Sequence, residues 1–428
     1  MSRIKTLIII GLSFVILAVL GYNFQVANSL KYDFGGDASD FIHLGLTLAK
    51  TGKYGHLDLS HTDLVQGFKK GHHKTKTYKF SGHSTWRPPI WPAIIAFCFL
   101  ISGYSLGFLV AFKILLHLLG GLFFYKTLEY FTKRRIFIYA GVFLYLVNPA
   151  WQIYSRVFLS EPITLFFMTL FIWSLVRYLK TGRRLWLNGL WGGILILAHP
   201  YYIFLPFSLW FLLFLYKRVS LKNALLLGVV TTAIVSIWVV RNYVVLDAEK
   251  AVITSSSGAV MAKGWNQDVP DLHTNTKGDL ADESLVLQNF DYDKSDYKGE
   301  VGMMTLYQDA TMNFIMSNPD LILPIIIKKL KSAFNPFPET SRPGILETGR
   351  VIFQVLALLA AFVILFIGTA NMKPLVWGLF LSTVLISIIT YSGFRFRMPQ
   401  SGLEILIIIL AIQCLMERFG KSKIKHGS

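Results

Sequence analysis

Charged side chains are scarce in this chain. Of its 428 residues, 15% are Asp, Glu, Lys or Arg, whereas 54% are hydrophobic and the mean hydropathy is +0.51. A soluble domain carries roughly 25% charged residues. The chain has too little polar surface for a soluble globule of its length, and long apolar runs recur from end to end. These features predict a polytopic membrane protein.

Acidic residues are the scarcer charged type, with 24 against 42 Lys and Arg, so the formal net charge is +18. Residues 247–309 hold 12 of these acids, which leaves the remaining chain more basic still. Much of that positive charge lies in short clusters between apolar runs, as the positive-inside bias of membrane proteins produces. We therefore predict a lipid bilayer as partner and no nucleic acid.

Cysteine is nearly absent, since the chain has only Cys98 and Cys414, far apart and both in apolar segments. They exclude a disulfide framework and a thiolate metal site. Asn-x-Ser/Thr sequons are absent as well, and both features favour a bacterial inner membrane. Arg3 and Lys5 precede the apolar run 6–20, but no convincing small-x-small cleavage site follows it. This pattern predicts an uncleaved first span.

Ten apolar runs have the composition of transmembrane helices. They lie near residues 6–21, 108–126, 136–150, 162–179, 185–199, 201–216, 223–245, 347–368, 374–391 and 402–417. If the basic clusters between them are cytoplasmic, about ten spans alternate with both termini in the cytoplasm. Segment 88–103 is apolar but short and begins with prolines. We predict that it is a juxtamembrane or re-entrant element on the outer side, because a crossing there would invert everything downstream.

The predicted all-α architecture divides into three parts. Residues 1–245 form a transmembrane module of seven spans that includes a first outer loop over 22–107. Residues 246–346 form a second large outer loop, and residues 347–428 form a C-terminal module of three spans with a basic cytoplasmic tail. Each loop contains apolar residues at helical spacing, over 38–50 and 321–334, which predicts amphipathic juxtamembrane helices on the membrane face.

Polar residues that suit catalysis are concentrated at the expected outer surface. A transporter would instead carry paired ionisable residues along a path inside its spans, which here are mostly free of charge. Acids and bases that converge beneath two wide loops favour an enzyme acting on a lipid-linked substrate. The candidate residues are Asp37, Asp40, Arg87, Arg156, Glu161, His199, Arg241, Arg395 and Arg397.

The segments that carry these residues resemble the membrane glycosyltransferases of the GT-C superfamily, specifically the protein O-mannosyltransferase and lipid A aminoarabinose transferase group. The first-loop signature of that group is similar to GGDASDFIHLGLTLAKTGKYG, with Asp37 in its acidic position. A basic-Pro-Pro-aromatic motif resembles WRPPIWPAIIA, and SRVFLSEPITLFF has Glu161 in an acidic position. Three further basic motifs resemble AHP at 198–200, WVVRN at 238–242 and FRFRMP at 394–399. The resemblance covers the first seven spans in order and a segment near the C-terminus.

The resemblance implies that a sugar moves from a polyprenyl-phosphate carrier to an envelope glycan, lipid or protein acceptor at the outer face. It implies Asp37 as the general base that takes the acceptor's proton. Glu161 would hold a metal, orient the acceptor or assist Asp37; the sequence does not require a divalent cation, and we assign no metal ligand. Arginines suit the phosphate because guanidinium binds it bidentately. The expected substrate contacts are Asp40, Arg87, Arg156, His199, Arg241, Arg395 and Arg397.

Two positions depart from the family pattern. Ala38 stands where many relatives have a second acid, and His199 replaces a more usual Lys or Arg. Structural alternatives also remain: Asp37 suits a helix N-cap, and Glu161 at a span start suits the helix dipole. The arginines suit interfacial anchoring. For the whole protein, the alternatives are a lipid-linked saccharide transporter or flippase, and a non-catalytic scaffold of a glycan-assembly complex.

Overall fold

The computed structural model describes residues 3–246, 250–270, 282–337, 344–391 and 393–425. Within these ranges the chain is helical apart from one short hairpin and its connections. The first nine helices are α1 (Arg3–Ser29), α2 (Asp37–Thr51), α3 (His61–Lys69), α4 (Ile90–Ser102), α5 (Leu106–Phe131), α6 (Arg135–Leu146), α7 (Pro149–Ser155), α8 (Glu161–Thr181) and α9 (Leu185–Ala198). The others are α10 (Phe204–Leu215), α11 (Leu221–Leu246), α12 (Ser256–Gly264), α13 (Gly299–Ser317), α14 (Pro319–Phe334), α15 (Ile345–Ile367), α16 (Lys373–Ile389), α17 (Phe394–Arg397) and α18 (Ser401–Lys425).

Six helical segments in the described part of the chain are long and apolar enough to cross a membrane: Ile10–Ser29, Leu106–Phe131, Arg135–Ser155, Glu161–Thr181, Leu221–Leu246 and Ile345–Ile367. A seventh would be the pair α13 and α14, which bend by 114°. The shorter apolar helices are Ile90–Ser102, Leu185–Ala198, Pro200–Leu215 and Lys373–Ile389. This is an all-α membrane protein with several spans.

The main core joins the helices of the two predicted transmembrane modules. Helices α5, α8, α9 and α11 pack in succession, α10 packs on α16, and α15 packs on α18. Fully buried aromatic side chains such as Trp151, Phe171 and Trp210 fill the spaces between them. The turn at Met398–Gln400, after α16, packs on α8 from the first half of the chain.

Helix α2 forms where the apolar spacing predicts it, but its apolar side faces protein. Phe41 and Leu44 are buried, and α2 packs along α4, whose Trp91 and Ile95 are also buried. The contact is close, because a Cβ on Gly45 would lie 2.4 Å from Ile95 Cγ2. Helix α4 has 13 residues, about 20 Å at 1.5 Å per residue, which is short of a bilayer core.

A small hairpin closes the first loop. Strands β1 (Gly55–Leu57) and β2 (Phe80–His83) pair antiparallel, with Gly55 opposite His83 and Leu57 opposite Phe80. Glycine is needed at position 55, because a Cβ there would lie 2.1 Å from the carbonyl oxygen of Gly82. The hairpin brings residues 84–87, which follow β2, back beside α2.

Candidate active site

Asp37 and Asp40 lie on the first turn of α2. The helix begins after Gly36, whose φ of +52° is a conformation that glycine adopts without strain. Negative side chains on the first turn are stabilised by the helix dipole. Because they are three residues apart, the two carboxylates lie on one face of the helix.

Arg87 binds both carboxylates. Its Nη2 lies 2.5 Å from Asp37 Oδ1 and 2.7 Å from Asp40 Oδ2, and its Nε lies 3.1 Å from the same Asp40 oxygen. The Tyr54 hydroxyl donates to the Arg87 carbonyl at 2.8 Å. Two prolines follow Arg87 and restrict its backbone. The two carboxylates therefore hold the guanidinium of Arg87, and Tyr54 and the prolines hold its backbone.

Arg395 joins two carboxylates that are far apart in sequence. Its Nη2 lies 2.5 Å from Asp37 Oδ2, and its Nε lies 2.5 Å from Glu161 Oε1. The Glu161 side chain is 0% exposed, whereas that of Asp37 is 31% exposed. An unpaired buried charge costs about 3–5 kcal/mol. Glu161 is therefore the buried partner of Arg395, and Asp37 is the partner that is open to the cavity.

The two arginines determine the charge state of Asp37. Burial by itself would raise the pKa of this carboxyl, but Arg87 and Arg395 outweigh that effect and lower the pKa to about 2. For Arg395, burial disfavours the charged form, yet Glu161 and Asp37 raise its pKa above the usual value. Asp37 and Arg395 are therefore both charged at physiological pH.

His199 lies beside this cluster, at the end of α9. Its ring packs edge-on against Tyr202 and Phe396, with centroid distances of 5.9 and 5.8 Å. Phe396 follows Arg395 in the chain, so His199 lies at the edge of the charged cluster.

These side chains border a cavity of about 610 Å³. Asp37, Arg87, His199 and Arg395 line it directly. Its apolar lining comes from α10, α16 and their flanks, namely Ile203, Phe204, Ile386, Ile389 and Phe396. The second outer loop contributes polar groups, among them Thr254, Ser256, Ser257, Lys263 and Gln308. The cavity thus joins a charged cluster to an apolar surface and a polar one.

Glu300 attaches the second outer loop to the first. Its Oε2 accepts hydrogen bonds from the backbone N–H of Thr85 at 2.8 Å and from the Ser255 hydroxyl at 3.2 Å. Its Oε1 lies 3.3 Å from Nε2 of His56. Since Thr85 is two residues before Arg87, this junction fixes the wall of the cavity beside the charged cluster.

Six of the nine predicted residues come together in the structure, namely Asp37, Asp40, Arg87, Glu161, His199 and Arg395. Two others lie elsewhere. Arg156 donates to Asn23 Oδ1 at 3.2 Å. Arg241 donates to the carbonyls of Tyr54 at 2.7 Å and Ser84 at 2.9 Å, and it supports the hairpin behind Arg87. Neither lines the cavity, and their predicted contact with substrate stays a prediction.

Arg397 also lies away from the cavity. Its Nη2 is 2.8 Å from Glu404 Oε1, and the two side chains are 5% and 6% exposed. In a helical turn, residues two apart point roughly 200° away from each other. Arg397 therefore points into the protein, whereas Arg395 reaches the cavity.

Sequence reasoning missed several residues of the site. Trp86 donates from Nε1 to Asp40 Oδ2 at 3.2 Å, and its position next to Arg87 is a signal that could have found it. Glu404 lies within a predicted span, where a lone acid is a signal for a buried ion pair. Glu300 and Ser257 stand in the second outer loop without a motif around them, and no sequence signal marks them.

Within the described ranges, no three His, Cys, Asp or Glu side chains converge to hold a metal ion. Of the histidines in the Lys-rich part of the first loop, His73 is buried, with its ring nitrogens 2.8 Å from the Leu64 carbonyl and 2.6 Å from the Tyr78 hydroxyl. That histidine is a structural residue.

The fold and the site define an all-α membrane protein with an ionic cluster at one cavity. Comparison of the chain with known protein families, with curated proteins and with solved structures finds no match.

Proposed function

We propose that this protein is an integral-membrane glycosyltransferase that moves a monosaccharide from a polyprenyl-phosphate carrier to an envelope glycan, lipid or protein acceptor. The observation that carries the proposal is the position of Asp37 between two guanidinium groups, at a cavity that also has an apolar lining. One cavity then offers a base, cations for a phosphate and a surface for a lipid chain. The order of sequence motifs that resemble the GT-C superfamily supports the same assignment.

The donor phosphate would bind at Arg87 and Arg395. Both arginines line the cavity, and both presently bond to the more exposed carboxylate, Asp37. Phosphate oxygens compete well for guanidinium because the paired hydrogen bonds match their geometry. As the bond between sugar and phosphate breaks, these cations stabilise the charge that develops on the departing phosphate.

Asp37 would act as base only after the donor binds. In the structure both of its oxygens accept from an arginine, and its low pKa makes it a weak base. A phosphate that takes one guanidinium frees one carboxylate oxygen and brings the pKa back towards its usual range. The acceptor hydroxyl then attacks the anomeric carbon, its proton passes to Asp37, and the bonding electrons leave with the phosphate.

The remaining lining of the cavity supports a lipid-linked donor. The first isoprene units of the carrier would lie against Ile386, Ile389 and Phe204, and the acceptor would enter beside the second outer loop. We propose that the shorter helices α9, α10 and α16, together with α18, complete ten spans. Both termini would be cytoplasmic, with the active site on the outer face of a bacterial inner membrane.

The test is sugar transfer in membranes that contain wild-type protein or Asp37→Asn, supplied with labelled polyprenyl-phosphate monosaccharides. This substitution keeps the shape of the side chain and removes the base. We expect label to leave the lipid with wild type only, at equal abundance of both proteins in the membrane. Equal transfer by both proteins would exclude Asp37 as base. If wild type consumes no donor, the enzyme assignment is wrong, and the transporter and scaffold alternatives take its place.

A further inference from the structure

Two buried polar atoms at the charged end of the cavity have no hydrogen-bond partner among the described residues. They are Oε2 of Glu161 and Nδ1 of His199. Buried polar groups are nearly always bonded, and leaving one unbonded costs about 1–3 kcal/mol, more if it is charged. Two such atoms in one region point to a ligand group that binds them.

Both residues flank the same arginine. Glu161 uses its other oxygen, Oε1, to bind Arg395 Nε, and the adjacent Ser160 lines the cavity. His199 lines the cavity itself, and its ring packs against Phe396, the residue that follows Arg395. The unbonded atoms therefore lie next to the place proposed for the donor phosphate, where the transferred sugar would be.

The chemistry of the two atoms selects the kind of ligand group. An anion would be repelled by the Glu161 carboxylate. A metal ion would need further ligands, and no three such side chains converge among the described residues. A hydroxyl group is neutral, and it both donates and accepts. It can donate to Glu161 Oε2 and accept from His199 when the neutral ring carries its proton on Nδ1.

We propose that Glu161 and His199 together bind one hydroxyl group of the transferred sugar and thereby determine which sugar the protein accepts. The inference rests on the proposed function and adds a specificity site to it. Glu161 then has two tasks, since one oxygen holds Arg395 and the other recognises the sugar. The hydroxyl group also completes two hydrogen bonds that the protein by itself leaves unmade.

Two substitutions test the site, one for each of its two residues. Glu161→Gln keeps the shape of the side chain and an oxygen for Arg395, but places an amide NH₂ where Oε2 was. His199→Phe keeps the ring contacts with Tyr202 and Phe396 and removes both nitrogens. Each protein is assayed with the polyprenyl-phosphate monosaccharide that wild type uses, and with analogues in which one ring hydroxyl at a time is replaced by hydrogen. The measured quantity is kcat/KM.

For one analogue we expect wild type to lose about tenfold to a hundredfold in kcat/KM, the effect of a hydrogen bond to a charged group. Glu161→Gln should have similar kcat/KM values for the natural sugar and for that analogue, because any loss through Arg395 affects both substrates equally. Its ratio of the two kcat/KM values should therefore fall towards one. His199→Phe should reduce the same discrimination about twofold to tenfold, as for a neutral hydrogen bond. Thr181→Ala, which changes an exposed residue at the opposite end of α8 from Glu161 and outside the cavity lining, should discriminate as wild type does.

The proposal is wrong if both variants lower kcat/KM by one constant factor for every sugar, because they would then act only through Arg395 or through folding. If Glu161→Gln does not fold, His199→Phe decides the question alone. A wild-type protein that transfers no sugar from any carrier would overturn the proposed function, and this site with it. If wild type transfers sugar but neither variant changes its discrimination against any deoxy analogue, this site is wrong and the proposed function stands.

Discussion

Replacing Glu404 should change donor binding from a distance, because Glu404 holds the turn that presents Arg395. Arg397 is bound to Glu404 at 2.8 Å inside the protein, and Arg395 leaves the same turn towards the cavity. Glu404→Gln leaves the guanidinium of Arg397, which is 5% exposed, without its counter-charge. We expect a loss of about 3–5 kcal/mol in the free energy of unfolding.

The same variant should raise the KM for the lipid-linked donor about tenfold, because a misplaced phosphate contact that loses about 1.4 kcal/mol weakens binding by that factor. The assay measures KM and kcat in detergent or nanodiscs, normalised to folded protein. We expect kcat to change less than KM. The exchanged pair, Arg397→Glu with Glu404→Arg, should recover much of the donor affinity.

The matched control is Glu347→Gln, which removes the carboxylate partner of another buried arginine. Arg350 is 1% exposed and binds Glu347 at 2.5 Å, but it also donates to Gln354 at 2.5 Å and to the Pro336 carbonyl at 3.1 Å. This variant should lose stability without raising KM. If both variants raise KM equally, or if the exchanged pair restores stability but leaves KM high, Glu404 has no positioning role and the reasoning is wrong.

Three more predictions concern the charged cluster and the close contacts of the fold. Arg395→Lys should lower kcat/KM about tenfold to a hundredfold, because one ammonium cannot replace the fork between two carboxylates; unchanged transfer would refute the bridging role. Folding lowers the pKa of Asp37 from 3.8 to about 2, so its ionisation stabilises the fold above pH 4 by at most about 2.5 kcal/mol. This stabilisation is lost as pH falls towards 2. The unfolding free energies of wild type and Asp37→Asn should therefore converge at low pH, and a constant difference would contradict the shift. Gly264→Ala should lower the thermal midpoint of unfolding, because its Cβ would lie 2.0 Å from the Thr390 carbonyl oxygen. The control is Gly228→Ala, whose Cβ has its nearest neighbour, in the Phe207 ring, at 3.9 Å; its free energy of unfolding should rise by up to about 1 kcal/mol.

The helical membrane character could be predicted from the sequence because it depends on composition and apolar run length alone. Position along the chain was enough to propose that Asp37, Arg87 and Arg395 lie on one side of the membrane. The ion pairs between them were not predictable, since Asp37 and Arg395 are 358 residues apart and meet only through the packing of the helices that carry them. Sequence order does not specify that packing.

Arg395 and Arg397 illustrate what the sequence leaves undetermined. Two arginines in FRFR look equivalent as phosphate ligands, yet the turn they share sends one to the cavity and the other to Glu404. Likewise, the apolar spacing of α2 indicates an amphipathic helix but does not identify its neighbour. Lipid and the apolar side of α4 are equally suitable for Phe41 and Leu44, and only the tertiary structure decides between them.

The junction at Glu300 has a mechanical consequence. Its carboxylate binds the chain at Thr85, two residues from Arg87, and at Ser255, one residue before α12. Any displacement of the second outer loop therefore also pulls on Thr85 and, through it, on Arg87, so the two walls of the cavity are expected to move together.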